Sequence, residues 1–398
     1  MHRMMAALVL AVGLFAVPAL AQEAGKSETV AVPGSDVKFD VVSVPGGKFK
    51  DADLKPFGMG KNEVTWAEFE LFYSSPKEAA VDGVTRPTPG REFLGQVGLP
   101  GHFQEAKRPV ICLRWQSAMG YCHFVSRKTG HLFRLPTELE WEYACRAGAE
   151  NPSLDQAWTK ENSQDRTHEV GEKKPNAFGL CDMLGNVWEY CLESFQPPDF
   201  SPVLRGGAWN TPSGNLKVDV RHGIPEDWFA QDPNRPRSVW WLTGDYSQGL
   251  RLVRVADAST VKEREAYAEK IQVTFGKCEE RTVKKGTSAE FFTRVTGEVK
   301  NAGDRALDEL HVIVYYLDPK GKPHKADIQG ADKPGRATFT YVFPALSNSA
   351  WPGDHRQPMK PGESRKFVAD IPQSFDEDGT LVQLEKFGAQ AIGIVFSR

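Results

Sequence analysis

The 398-residue chain lacks the short motifs by which many enzymes are recognised from sequence. It contains no P-loop, no H-E-x-x-H zinc motif, no G-x-S-x-G nucleophile turn and no C-x-x-C pair. Its nine histidines are scattered, so an iron site with two histidines and a carboxylate could form only from distant segments. The sequence therefore gives no direct support for nucleotide hydrolysis, zinc proteolysis or serine-hydrolase chemistry.

The chain also has little excess charge and few long apolar runs. A formal net charge of -3 argues against a basic surface for nucleic acid. The apolar run at residues 6–20 is shorter than the roughly 20 residues that span a bilayer. With Arg3 before it and Ala19-Leu20-Ala21 at its end, it predicts a signal peptide over residues 1–21. We therefore expect a periplasmic or secreted protein without a membrane span.

Tryptophan and cysteine are distributed unevenly. Nine of the ten tryptophans lie between Trp66 and Trp241, and five of the six cysteines lie between Cys112 and Cys191. This skew and the chain length predict two domains. We expect them at 38–256 and 271–398, with a charged, helix-prone linker at 257–270. Because five is an odd number, disulfides within the first domain would leave at least one thiol unpaired.

Three helices are predicted in the first domain. One begins after Thr65, and a second covers residues 116–128 and ends at Gly130. The third begins with the capping box of Thr137 and Glu140. Residues 149–250 show little periodicity, so aromatic packing, disulfides or a metal must hold them.

The second domain is predicted to consist of strands separated by Asn-, Asp-, Pro- and Gly-rich turns. The alternation predicts an immunoglobulin-like β-sandwich. The predicted strands are residues 271–275, 291–299, 310–317, 338–343, 365–371 and 391–396.

Four ordered segments carry a family resemblance. They are HLFRLPTELEWEYACRAG at 131–148, NAFGLCDMLGNVWEYC at 176–191, VLRGGAWN at 203–210 and GLRLVR at 249–254. Over residues 40–255 the chain resembles the formylglycine-generating enzyme (sulfatase-modifying factor) family. The resemblance implies an α+β, loop-rich fold related to C-type lectins.

The same resemblance implies a catalytic feature that this chain lacks. The family oxidises a sulfatase cysteine to formylglycine with a copper ion held by two cysteines shortly after R-G-G. The matching positions here are Thr211 and Leu216, and no cysteine occurs from 192 to 277. Because copper(I) needs soft thiolate ligands, we do not expect copper or formylglycine formation by that mechanism.

The resemblance further implies a structural calcium ion at the G-N-V-W-E motif. Its ligands would be the side chains of Asp182 and Glu189 and the carbonyl groups of Gly185 and Val187. Calcium prefers such closely spaced hard oxygen atoms. The alternative is a surface Asp beside a Gly-Asn turn, with Glu189 in solvent.

The segment after R-G-G forms the pocket in this family. We therefore expect a ligand site at Trp209, Asn210, Arg221 and His222. Aromatic rings with Arg and Asn suit a carbohydrate, a peptide or another protein. The alternative is that the tryptophans only stabilise a loop-rich core.

Two classes of function follow. The first is a ligand-binding or accessory protein, which includes an inactive partner that regulates a true sulfatase-modifying enzyme. The second is a divergent non-heme metal oxidase, since superfamily members such as an ergothioneine-pathway sulfoxide synthase do not depend on that cysteine pair. The sulfoxide synthase takes its iron ligands largely from an additional helical domain, and no equivalent is visible in this sequence. Enzymatic activity stays open at this point.

Overall fold

A computed structural model gives the arrangement of most of the chain. It describes residues 24–74, 101–194, 202–223, 246–285, 288–318, 320–322, 325–326, 336–337, 339–346, 356–372 and 386–397. The predicted signal peptide lies outside the described residues. Within them, no helix combines the length and apolar character needed to cross a membrane.

The division into two domains stays a prediction, and the names first and second domain follow it. The predicted first domain contains a five-stranded antiparallel sheet of order β1-β2-β5-β10-β6, whose edge strand β1 lies before the predicted start at residue 38. A smaller sheet, β8-β7-β9, holds parts of three of the four family-like segments and includes a parallel pair, β7 and β9. A β3–β4 hairpin lies outside both sheets. The strands are β1 Ser27–Ala31, β2 Lys38–Val44, β3 Gly47–Phe49, β4 Ala52–Leu54, β5 Phe57–Gly60, β6 Phe133–Arg134, β7 Trp188–Ser194, β8 Pro202–Arg205, β9 Gln248–Gly249 and β10 Val253–Val255.

The described residues contain α1 (Trp66–Ser74), α2 (Trp115–Thr129), α3 (Glu138–Arg146) and α4 (Val261–Ala268). The predicted first three helices are confirmed. Gly130 ends α2 with a φ of 79°, and the Thr137–Glu140 capping box begins α3 as predicted. Helix α3 ends at Ala147, which takes the left-handed conformation before Gly148. Short 3-10 turns occupy Gly101–Gln104, Leu154–Gln156 and Ser213–Asn215.

The second domain contains two three-stranded antiparallel sheets, β11-β12-β17 and β16-β13-β18. One hydrophobic core takes side chains from both sheets, including Val295, Val312 and Phe367. All six predicted strands are present, and several are longer than predicted. The immunoglobulin-like assignment stays a prediction. The strands are β11 Ile271–Lys285, β12 Ser288–Asn301, β13 Leu307–Tyr316, β14 Lys325–Ala326, β15 Arg336–Ala337, β16 Phe339–Leu346, β17 Ser364–Pro372 and β18 Phe387–Phe396.

The predicted linker contains a packed helix. Thr260 and Glu263 form a capping box at the start of α4. Arg264 donates to the Gly130 carbonyl group at the end of α2. Tyr267 is buried, and its hydroxyl group accepts a hydrogen bond from the Arg305 N–H (2.8 Å). The segment therefore contacts both domains.

All six cysteines lie in described residues, and all six are free thiols. Five are buried in the first domain, and Cys278 on β11 is exposed. Burial raises the pKa of Cys122, Cys145 and Cys191. The loop-rich region is therefore held by packing and hydrogen bonds, with no contribution from a disulfide.

Candidate functional site

A buried ion pair organises the centre of the first domain. The Arg251 guanidinium group donates to Glu189 Oε1 (2.6 Å) and also bonds the carbonyl groups of Gly60, Lys61 and Cys181 at 2.9–3.0 Å. Arg251 and Glu189 are both at most 1 % exposed. The single Arg251 side chain therefore connects the end of β5, the 176–191 segment and the irregular residues that lead to β10.

The predicted calcium ligand Glu189 already has two partners. Its Oε1 and Oε2 accept from Arg251, and Oε2 also accepts from Trp141 Nε1 (2.8 Å). These donors occupy the carboxylate, and the positive guanidinium group would repel a cation. In this arrangement Glu189 does not fit a calcium ligand, and its role is to balance the charge of Arg251.

Asp182 has a different environment. It is 2 % exposed, and its Oδ2 accepts from the Gly171 N–H (2.7 Å). Its Oδ1 is buried and has no hydrogen-bond partner among the described residues. Burial raises the pKa of Asp182 to about 6. A buried carboxylate oxygen without a donor fits a bound cation, so calcium at Asp182 stays a prediction.

Gly185 and Val187 lie in the same tight turn as Asp182. Gly185 has a φ of 79°, and a Cβ atom there would come within 2.2 Å of the Trp158 carbonyl oxygen, so the turn requires glycine. The next two residues are anchored to a buried carboxylate, because Asn186 Nδ2 and the Val187 N–H donate to Glu63. Glycine and the bonds to Glu63 therefore fix the turn, and the carbonyl groups of Gly185 and Val187 stay predicted ligands.

Arg221 lies at the edge of the small sheet and pairs with the first residue of α3. Its Nε donates to Glu138 Oε2 (2.7 Å) and its NH2 group donates to Glu138 Oε1 (2.8 Å). The Arg221 side chain is 42 % exposed, while Glu138 is buried. Arg205 of the R-G-G motif also reaches Glu138 (3.2 Å) and bonds Glu142 (2.8 Å). Arg221 is therefore fixed in orientation and still accessible.

His222 stacks on Trp188, the first residue of β7. The ring centroids are 4.7 Å apart and the planes are inclined by 17°. The backbone of His222 exchanges two hydrogen bonds with Leu204 of β8, at 2.9 and 3.0 Å. Burial lowers the pKa of His222, which favours the neutral form of its ring. The Trp188–His222 pair forms a flat, partly exposed aromatic surface.

Trp209 is a further partly buried ring of the first domain. Its Nε1 donates to the Tyr246 carbonyl oxygen (3.0 Å), and its ring lies 5.6 Å from that of Phe103. Asn210, the next residue, is exposed. Trp209 is therefore anchored on one side, and it both packs against the core and borders the surface.

The site residues predicted from the sequence did not include Trp115, Trp188 or Tyr246. Trp115 Nε1 donates to the Cys191 carbonyl oxygen (2.8 Å), so its ring lies beside β7. Trp115 and Tyr246 are partly buried and pack against the same core as Trp188 and Trp209. The position of Trp115 at the start of an amphipathic helix gives no signal of this role. We call Trp115, Trp188, Trp209, His222 and Tyr246 the aromatic face.

The positions that would hold copper do not fit that metal. Thr211 Oγ1 accepts a hydrogen bond from the Ala208 N–H (3.0 Å), and Leu216 is buried in the core. Neither side chain offers a thiolate. Across the described ranges, no three His, Cys, Asp or Glu side chains gather as a metal-binding group.

Fold and site define a class of protein: an α+β domain, rich in loops, that presents an aromatic face and is joined to a β-sheet domain. Residues 15–233, more than half of the chain, match the sulfatase-modifying factor enzyme 1-like domain. The chain belongs to this family. The matched range extends into the predicted signal peptide and ends before the predicted domain boundary at 256.

Several known proteins are similar to the chain. It is 30 % identical over 169 residues to inactive C-alpha-formylglycine-generating enzyme 2 of Mus musculus, which covers 36 % of the chain and 53 % of that protein. It is 25 % identical over 308 residues to chaperone protein LppX of Paenibacillus barcinonensis, and this match covers 59 % of the chain and 96 % of that protein. The chain spans about half or less of the length of the first curated relatives that it matches.

Among solved structures, Treponema denticola variable protein 1 matches with a TM-score of 0.40 and 23 % identity. The match covers 57 % of the chain and 98 % of that protein.

Proposed function

We propose that the protein is an extracytoplasmic, ligand-binding or accessory member of its family that does not form formylglycine through copper. The observation that carries this proposal is the replacement of both expected copper ligands by Thr211 and Leu216. The similarity to a relative named as inactive supports a non-catalytic role, and the similarity to a protein named as a chaperone supports an accessory one. The apolar N-terminal run supports export.

The aromatic face is the proposed ligand site. Hydrogen bonds from the indole N–H groups fix Trp115 and Trp209, and stacking fixes Trp188 against His222. Preorganised rings of this kind lose little conformational freedom on binding and suit the apolar faces of sugars or peptide side chains. The exposed edge of the Arg221–Glu138 pair adds directional hydrogen bonds.

Metal analysis of the purified full chain tests the non-catalytic proposal. We expect neither copper nor iron at stoichiometric amounts. Stoichiometric copper or iron would overturn the proposal and favour the oxidoreductase alternative.

We also propose that Asp182 binds a structural calcium ion. Chelation should then lower the thermal midpoint of the wild-type protein but not that of Asp182→Asn, which loses the buried anionic oxygen. An unchanged wild-type midpoint after chelation would exclude the calcium site.

A binding screen tests the aromatic face. Arrays of unmodified peptides and of oligosaccharides serve as probes, and Trp188→Ala should abolish any binding that the wild type shows. A matched control is Trp158→Ala, because Trp158 also stacks on a histidine, His168, at 3.6 Å but lies outside the face. Equal losses of binding in the two variants, or no loss of binding in either, would contradict the aromatic face as the ligand site.

A further inference from the structure

The second domain inserts a charged side chain into the first domain. Glu309 of β13 accepts two hydrogen bonds from Arg134 of β6, at 2.8 and 2.7 Å. Arg134 also donates to Glu140 of α3, at 2.6 and 2.9 Å. Arg134 is 1 % exposed, and both carboxylates are fully buried. One guanidinium group is therefore held between two carboxylates that come from different domains.

Glu140 has a second task at this point. Its Oε2 accepts from the Thr137 N–H (2.9 Å), which closes the capping box that begins α3. Although burial opposes ionisation, the charge of Arg134 and hydrogen bonds from His311 and Arg134 lower the pKa of Glu309 to about 2. Glu309 therefore remains an anion and shares the charge of Arg134 with Glu140.

The first turn of α3 is also the support of Arg221. Glu138, the first residue of α3, holds Arg221 by two hydrogen bonds and is itself bonded by Arg205. Arg221 directly precedes His222, whose ring and backbone belong to the aromatic face. A continuous series of contacts thus runs from Glu309 through Arg134, Glu140 and the start of α3 to this face.

We propose that Glu309 of the second domain is a positioning residue for the aromatic face, acting through Arg134 and the capped first turn of α3. Without Glu309, Arg134 would keep a single buried counter-charge and would compete with the Thr137 amide group for Glu140. A weakened cap would loosen the first turn, and with it Glu138 and Arg221. The second domain would then be required for the shape of the site, as well as for the stability of the chain.

The inference rests on the proposed function only in so far as the aromatic face is a ligand site. The coupling between Glu309 and this face can be measured without a ligand. Amide hydrogen exchange of the full chain is the measurement, in wild type and Glu309→Gln. We expect amide exchange to be about tenfold faster in residues 137–146 and at the paired amides of Leu204 and His222. A tenfold change corresponds to the loss of one interaction energy between groups in contact. A failed ligand screen would not change this result, so the two proposals fail separately.

Asp308→Asn is the matched control. Asp308 precedes Glu309 on β13 and also pairs across the domains, with Lys55 at 2.5 Å, but Lys55 is half-exposed. Exchange in residues 202–223 should be unchanged in this variant. Equal acceleration in both variants, or acceleration in Glu309→Gln confined to β6 and β13, would overturn the proposal.

A second variant covers the case in which Glu309→Gln does not fold. The triple substitution Arg134→Met, Glu140→Gln and Glu309→Met removes all three buried charges together and keeps similar volume. The amide oxygen of the new side chain at position 140 can still accept from the Thr137 N–H and close the capping box. This variant should fold and show wild-type protection at Leu204 and His222, and a folded triple variant with fast exchange at those two amides would also overturn the proposal.

Discussion

In the first domain one side chain, Arg251, bonds four residues: Gly60, Lys61, Cys181 and Glu189. In the second domain, by contrast, strand β12 is paired with β11 along one edge and with β17 along the other. The first arrangement depends on a few buried charges. The second spreads its stabilisation over many backbone hydrogen bonds. Single polar substitutions should therefore have large effects in the first domain and small ones in the second.

The largest expected effect is at Arg251. Arg251→Met leaves Glu189 buried without its counter-charge and should lower the free energy of unfolding by about 3–5 kcal/mol. Urea unfolding of the full chain measures the loss. The matched change is Arg294→Met on β12, which removes the partly exposed Arg294–Asp370 pair and should cost less than about 1 kcal/mol. Similar losses in the two variants would remove the contrast between the domains.

The contact between the two domains should become less stable as the pH falls. His123 of α2 and His311 of β13 face each other with ring centroids 6.2 Å apart, and both are buried. Burial, together with the charges of His311 and Arg127, lowers the pKa of His123 to about 3. Because the unfolded pKa is about 6.5, stability from neutral His123 is complete above about pH 6.5 and is lost as the pH falls towards 3.

His123→Leu should remove this dependence. At pH 5 the wild type should have lost roughly 2 kcal/mol through His123 relative to pH 7, and the variant should not show that part of the loss. Unfolding in urea at pH 7, 6 and 5 measures the slope. His102→Leu, at a partly exposed position, is the control and should keep the wild-type slope. A wild-type slope in His123→Leu would show that other groups cause the acid sensitivity.

The two capping boxes allow a smaller and closely matched comparison. Thr137 at the start of α3 is fully buried, while the Thr260–Glu263 box at the start of α4 is exposed. Thr137→Ala should cost about 1–2 kcal/mol and Thr260→Ala about 0.5 kcal/mol, the two ends of the range for lost N-caps. Thermal melting of both variants measures the difference. A larger loss for Thr260→Ala would show that burial of the box adds nothing.

Local sequence patterns predicted the helices and strands correctly, but they could not predict contacts between residues that are distant in the chain. The capping box at Thr137 and the strands of the second domain are written in adjacent residues, so their positions could be predicted. Arg134 and Glu309 are separated by 175 positions, and no periodicity links them. Family resemblance likewise assigned a role to Glu189 but none to its partner Arg251, although GLRLVR at 249–254 includes it. The Arg251 guanidinium group decides what the Glu189 carboxylate can bind.

The smallest expected effect on stability is at the cysteines, where chemistry distinguishes the domains. Iodoacetamide should modify one thiol in the native protein, the exposed Cys278, and all six in denaturant. Cys278→Ser should abolish the native modification and change stability by less than about 0.5 kcal/mol.

Cys181 lies beside Asp182 in the loop-rich region, and burial raises the pKa of its thiol. Slow native labelling of Cys181 in the Cys278→Ser variant would measure local opening of that region, whereas labelling of all five buried thiols at one rate would indicate that the first domain opens only as a unit.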